Sequence, residues 1–94
     1  MDTRVALIGI IVENTKSVEK INELLHINRQ YVIGRMGIPY SKKSINIISI
    51  VLDAPPDVIS ALSGKLGMLP GVSTKTIYSK VTETKEGTNE KFNW

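Results

Sequence analysis

The order of apolar patterns along the chain predicts an α+β fold whose elements run β-α-β-β-α-β. Three observations carry that prediction. Four short runs rich in β-branched residues, starting near Arg4, Gln30, Ile45 and Val72, read as strands. Two stretches between them, after Asn14 and after Pro55, repeat apolar residues at helical spacing. The remaining connections are short and rich in turn-forming residues.

Arg4 to Val12, "RVALIGIIV", is apolar almost throughout and too short for a helix, so it reads as a buried strand. Asn14 and Thr15 then offer N-cap oxygens, with Glu19 in the first turn of the helix that follows. Val18, Ile21, Leu24, Leu25 and Asn28 follow helical spacing, and Lys16, Glu19, Lys20 and Glu23 lie on the other side. A second strand spans Gln30 to Met36, with Gly34 breaking it and Gly37-Ile38-Pro39 ending it. Ser41 to Ser44 is a turn, and Ile45 to Leu52, "INIISIVL", is the clearest strand. Asp53-Ala54-Pro55-Pro56 marks entry into the second helix, since proline fixes a helical φ where no backbone donor is needed. Val58, Ile59, Leu62 and Leu66 form its stripe, and Gly67 is placed to close it in a left-handed conformation before Pro70. Val72 to Val81, "VSTKTIYSKV", alternates as a strand with one wetter face.

This order is the ferredoxin-like βαββαβ sandwich: a four-stranded antiparallel sheet with two helices on one face. Right-handed crossovers place the first and third strands at the centre. The 94 residues suffice for one domain, residues 1–81, and leave a polar tail at 82–94 that lacks periodicity and is expected to be flexible.

"LSGKLGMLPGV", Leu62 to Val72, superficially resembles a loop that cradles phosphate. A Walker-type loop needs a glycine five positions before its Gly-Lys pair and Ser or Thr after it, whereas Ile59 and Leu66 stand there. These glycines also fall at the C-terminal end of a helix, where the dipole is negative. The nucleotide reading fails.

Other function classes are narrowed in the same way. The chain has no cysteine, so disulfides, thiolate metal sites and cysteine nucleophiles are excluded. No run reaches the length of a membrane span and no signal peptide is visible, so a cytoplasmic location without membrane contact is expected. The net charge of +3 is mild, and the lysines are scattered. RNA-binding domains of this element order stack bases on aromatics of the two central strands, and here those strands have none. The first strand begins almost at Met1, leaving no room for an added DNA-binding module, so direct nucleic-acid binding is not expected. His26 is the single histidine, and no Ser-His-Asp pattern, carboxylate pair or metal-ligand spacing accompanies it. The chain therefore reads as no enzyme, with no cofactor and no metal site.

One pattern points outward. Two helices cover only one sheet face, yet Ala6, Ile8 and Ile10 alternate with Val5, Leu7 and Ile11 on the first strand. On the third, Ile48, Ile50 and Leu52 alternate with Ile45, Ile47 and Val51. An exposed face of an antiparallel sheet ordinarily alternates with polar residues, so a greasy one marks an interaction surface. A homo-oligomer, dimer or tetramer, is the expectation. The alternatives are a monomer with an apolar surface, or a tail that folds back with Phe92 and Trp94. Which alternating set faces the helices is left open.

Several stretches also resemble a known family. "ELLH", "GRMGIPY" and "INIISIVLDAPPDVISALSGKLGMLPGVSTKT", together with the strand-first start, are similar to the iron-only hydrogenase system regulators over about residues 4–80. The resemblance implies a ferredoxin-like fold similar to ACT domains and to the C-terminal domain of nickel-responsive repressors. It also implies a role in regulation or maturation of an iron-only hydrogenase. The repressors' nickel ligands fall at positions that match Gly37, Pro39 and Ile45 here, none of which can coordinate nickel. Their DNA-binding ribbon-helix-helix is absent too. What remains is a regulatory module that binds a small ligand or a partner, or a purely structural interaction module with no ligand.

In ACT-like assemblies ligands sit near subunit contacts, at the loop after the first strand. The resemblance thus places a candidate ligand site at Asn14 and Thr15, where the helix start would offer backbone donors to an anion. Arg35 and Gly37 complete the candidate set. Arg35 is the only arginine inside a strand interior, Gly34 and Gly37 leave room beside it, and its planar fork suits carboxylate or phosphate. The alternative role for Arg35 is a structural ion pair with another subunit.

Overall fold

The computed structural model describes residues 2–80. Its elements are β1 (Arg4–Val12), α1 (Val18–Ile27), β2 (Val32–Tyr40), β3 (Ile45–Ala54), α2 (Pro56–Gly67) and β4 (Val72–Tyr78). The strands form one antiparallel sheet in the order β2-β3-β1-β4. The fold is ferredoxin-like, with β1 and β3 at the centre as the crossover rule requires. Val81 and the expected tail at 82–94 lie outside the described residues.

The even-numbered residues of the central strands face the helices. Ala6, Ile8, Ile10 and Val12 of β1 and Ile48, Ile50, Leu52 and Ala54 of β3 are buried together with Ile21 and Leu25 of α1 and Ile59, Leu62 and Leu66 of α2. Each fully buried Ile or Leu contributes roughly 1.5–3 kcal/mol by leaving water, which makes this layer the main stabilising element.

Several boundaries differ from the sequence reading, each for a physical reason. A 3-10 turn at Thr15–Ser17 precedes α1, so the helix begins at Val18 and not beside Asn14. Another at Arg29–Tyr31 delays β2, which then continues through Gly37, Ile38 and Pro39. Pro39 is tolerated because β2 is an edge strand, where a missing backbone donor need not break a ladder. A bulge between Val32 and Gly34 accommodates Ile33. The residue before α2 that acts as its N-cap is Pro55, without a side-chain cap, while Asp53 stays in β3.

Gly67 does not close α2 in a left-handed conformation; Met68 follows it with helical dihedrals. The left-handed glycine is Gly71, at φ 68°. Gly67 instead meets β4, where an added Cβ would stand 3.2 Å from Thr74 Oγ1. Ser63, Gly64 and Lys65 lie within α2, and Ser63 Oγ is 2.9 Å from Thr76 Oγ1 on β4. That segment is a helix end packed on a strand.

Candidate functional site

Two surfaces of the domain stand out, one on each side of the sheet. On the uncovered side stand the odd-numbered residues of the central strands, which the pairing register brings level with Ile77 of β4 and with Met36, Ile38 and Tyr40 of β2. Val5, Leu7 and Ile11 are each close to 40% exposed, while Met36, Ile38 and Ile77 exceed half. Ile47 and Val51 lie between them, half-buried by their neighbours alone. At the centre, Gly9 pairs with Ser49 on one side and Lys75 on the other. The absence of a side chain there leaves a dimple of about 290 Å³, edged by Ile11, Ile47, Ser49 and Ser73. The charges on this face, Asp53 and Lys75, are of opposite sign and lie away from each other.

On the covered side, a cleft of about 380 Å³ opens between the C-terminal half of α1 and the start of β2. Asn22, Leu25, His26, Arg29, Val32 and Arg35 line it. Arg35 shares the helix-facing side of β2 because its strand partner is buried Ile50. Its Nη2 donates to Asn22 Oδ1 at 2.6 Å, tying β2 to α1. Arg29 Nη1 donates to the His26 carbonyl at 2.9 Å, where a cation is favourable against the helix dipole. Asn28 Nδ2 donates to the Leu24 carbonyl at 2.9 Å, so two carbonyls of the last helical turn carry side-chain donors.

The four candidate residues fall into two pairs. Arg35 and Gly37 sit two apart on the same side of β2, and nothing lies within 4 Å of where a Gly37 Cβ would be. Asn14 and Thr15 lie beyond the far end of β1, with Asn14 packed against Gly71 at the β4 side. Arg35 is level with Ile8 two strands away, six residues short of Asn14, or about 20 Å along the strand direction. Within one chain the pairs do not form one site.

The loop after β1 also uses its donors internally. Asn14 Oδ1 accepts from Lys16 N at 3.0 Å, Ser17 N donates to the Asn14 carbonyl at 3.0 Å, and Glu13 N donates to the Gly71 carbonyl at 2.7 Å. Ser17, the one buried polar residue among those described, donates from Oγ to the Pro70 carbonyl at 2.7 Å. Sequence reasoning singled out Arg35 but not Arg29, Asn22 or the dimple at Gly9. The signal for Arg29 and Asn22 was faint: both are polar residues flanking the apolar stripe of α1, and only the packing of β2 brings them beside Arg35.

Comparison with known proteins places the chain. Residues 4–76 match the family described as "TM1266-like: Iron-only hydrogenase system regulator, putative". The solved structure of the uncharacterized protein TM1266 from Thermotoga maritima is 38% identical, over 83% of this chain and 99% of that one, with a TM-score of 0.79. The C-terminal domain of the MgtC protein from Mycobacterium tuberculosis superposes over 88% of this chain and 95% of that one, at 12% identity and a TM-score of 0.62. A formyltetrahydrofolate deformylase from Pseudomonas putida KT2440 matches 77% of this chain with 28% of its own, at 12% identity and a TM-score of 0.57. At that identity the last two show a shared fold alone. No curated protein matches the chain.

Proposed function

Because the chain belongs to the iron-only hydrogenase system regulator family, we propose that it works as a regulatory module without catalysis, assembled from identical chains through the open face of its sheet. The observation that carries this reading is the apolar character of that face from edge to edge, from Ile77 across Leu7 and Val51 to Met36 and Ile38. Four strands at about 4.8 Å spacing and some seven residues of length present a face of roughly 20 by 25 Å. That is of the order needed by a standard interface, which covers about 800 Å² on each partner.

A second copy suits the face better than a dissimilar partner. In a two-fold interface the same patch meets itself. The central dimple at Gly9 lies beside Ile11 and Ile47, apolar side chains that a partner copy would bring against such a recess. Asp53 and Lys75 supply one charge of each sign, so a self-pairing face carries no net repulsion. The reading without catalysis is supported by the description of the family as a regulator.

Light scattering on the full chain tests the assembly. At micromolar concentration the mass of a dimer or tetramer is expected. A monomeric mass would overturn the proposal and direct attention to residues 81–94 as the cover of the face.

A further inference from the structure

The cleft between α1 and β2 holds two guanidinium groups that come from different elements and have no acidic partner among the described residues. Arg35 is held by the neutral amide of Asn22, and Arg29 by a backbone carbonyl. Among the described residues the ion pair on α1 joins Lys20 to Glu23, which line a separate surface with Lys16 and Glu19. An arginine anchored by a carboxylate is both oriented and neutralised. One anchored by an amide is oriented and keeps its charge, with further N–H donors still directed outward.

We infer that this cleft binds a small molecule bearing an oxyanion, a carboxylate or a phosphate monoester, with Arg35 as the principal contact and Arg29 as the second. Both groups, the planar carboxylate and the tetrahedral phosphate, present a pair of oxygens that a guanidinium fork can engage through two parallel N–H donors. Gly37, two residues on along the same side of β2, has nothing within 4 Å of its missing Cβ, so an approaching anion meets no side chain there. Leu25 and Val32 supply an apolar floor, and Asn22 and His26 add polar edges. The cleft of about 380 Å³ has the volume of roughly a dozen waters. An oxyanion alone leaves much of that space, so the ligand carries a body of several carbons beyond its acid group. The engaged carbonyls at the end of α1 remove part of the repulsion that a helix C-terminus otherwise exerts on an anion.

This site lies on the opposite side of the sheet from the open face, so it goes beyond the assembly proposal and stands or falls separately. The experiment is thermal denaturation and calorimetry of the full chain with inorganic phosphate and with citrate, each against sodium chloride at equal ionic strength. At ten times Kd the folding equilibrium shifts about eleven-fold, which raises Tm by roughly 6–11 °C for a domain of this size. Response to phosphate alone assigns a phosphate ester, and response to citrate alone assigns a carboxylate. Arg35→Gln should abolish the rise, Arg29→Gln should weaken it, and Lys16→Gln should leave it unchanged. Asn22→Ala, which frees Arg35 from its anchor without removing it, should weaken binding several-fold and decides the matter should Arg35→Gln fail to fold. Equal shifts with chloride, no shift with either anion, or a full shift in both Arg35→Gln and Asn22→Ala would each overturn the site. Light scattering on the same samples reports the assembly independently.

Discussion

Gly71 and Asn14 are in direct contact: a Cβ built on Gly71 would stand 2.7 Å from Asn14 Cβ and 2.8 Å from its backbone nitrogen. Gly71 also carries a φ of 68° and accepts from Glu13 N at 2.7 Å. The turn after α2 and the turn after β1 thus lock each other, with Ser17 reaching Pro70 as a second tie. Gly71→Ala combines left-handed strain with overlap against backbone, and should cost about 2–3 kcal/mol. A fall in Tm of roughly 10–20 °C is expected, and a fall below 2 °C would contradict the contact.

Gly64 makes the opposite case. It sits in α2, exposed, with nothing within 4 Å of its missing Cβ. Gly64→Ala should therefore stabilise the domain by about 0.5–1 kcal/mol through helix propensity and a less flexible unfolded chain. Denaturant melts would show a higher midpoint. A loss of stability would mean that Ser63-Gly64-Lys65 needs its glycine for something other than a helix.

Leu7 and Ile50 separate the two faces of the sheet. Leu7→Lys places a charge on a residue already 39% exposed, so the chain should fold and its assembly should dissociate. Ile50 is fully buried against the helices, and Ile50→Lys leaves a charge without a partner in the core. That variant should lose several kcal/mol and fail to give a cooperative melt. Circular dichroism and light scattering on the pair distinguish the outcomes, and an unchanged oligomer in folded Leu7→Lys would count against the interface.

Gly9→Val probes the dimple without a charge. The missing Cβ has its nearest neighbour, the Lys75 carbonyl, at 4.0 Å, so the fold has room, and a β-branched residue suits a strand. The monomer should be at least as stable as before. A filled recess should weaken self-association ten-fold or more in analytical ultracentrifugation; undiminished affinity would show that nothing of the partner enters it.

Nickel and zinc should not bind with submicromolar affinity. One histidine and no cysteine per chain leave a site only if His26 is repeated across subunits with carboxylates added. Calorimetry showing tight nickel binding that His26→Ala abolishes would reverse this.

Much of the architecture follows from local pattern alone. The β-branched runs, the two amphipathic stripes and the prolines at the start of α2 determine the element order, and the handedness of crossovers then determines that β1 and β3 are central. That both faces of those strands are apolar is equally plain from the alternation at Ala6 to Ile11. For the same reason the sequence could not say which face the helices cover: a period of two distinguishes sides only when one of them is polar. Packing decided it, placing Ile48 and Ile50 inside and Ile47 and Val51 outside. Tertiary structure also decided that Pro39 stays in a strand because that strand is an edge, and that Gly71 rather than Gly67 takes the positive φ. It divided the four candidate residues into separate pairs and gave Arg35 the neighbours Asn22 and Arg29. Such adjacencies join residues from different elements through the docking of whole surfaces, and no periodicity within a single segment encodes them.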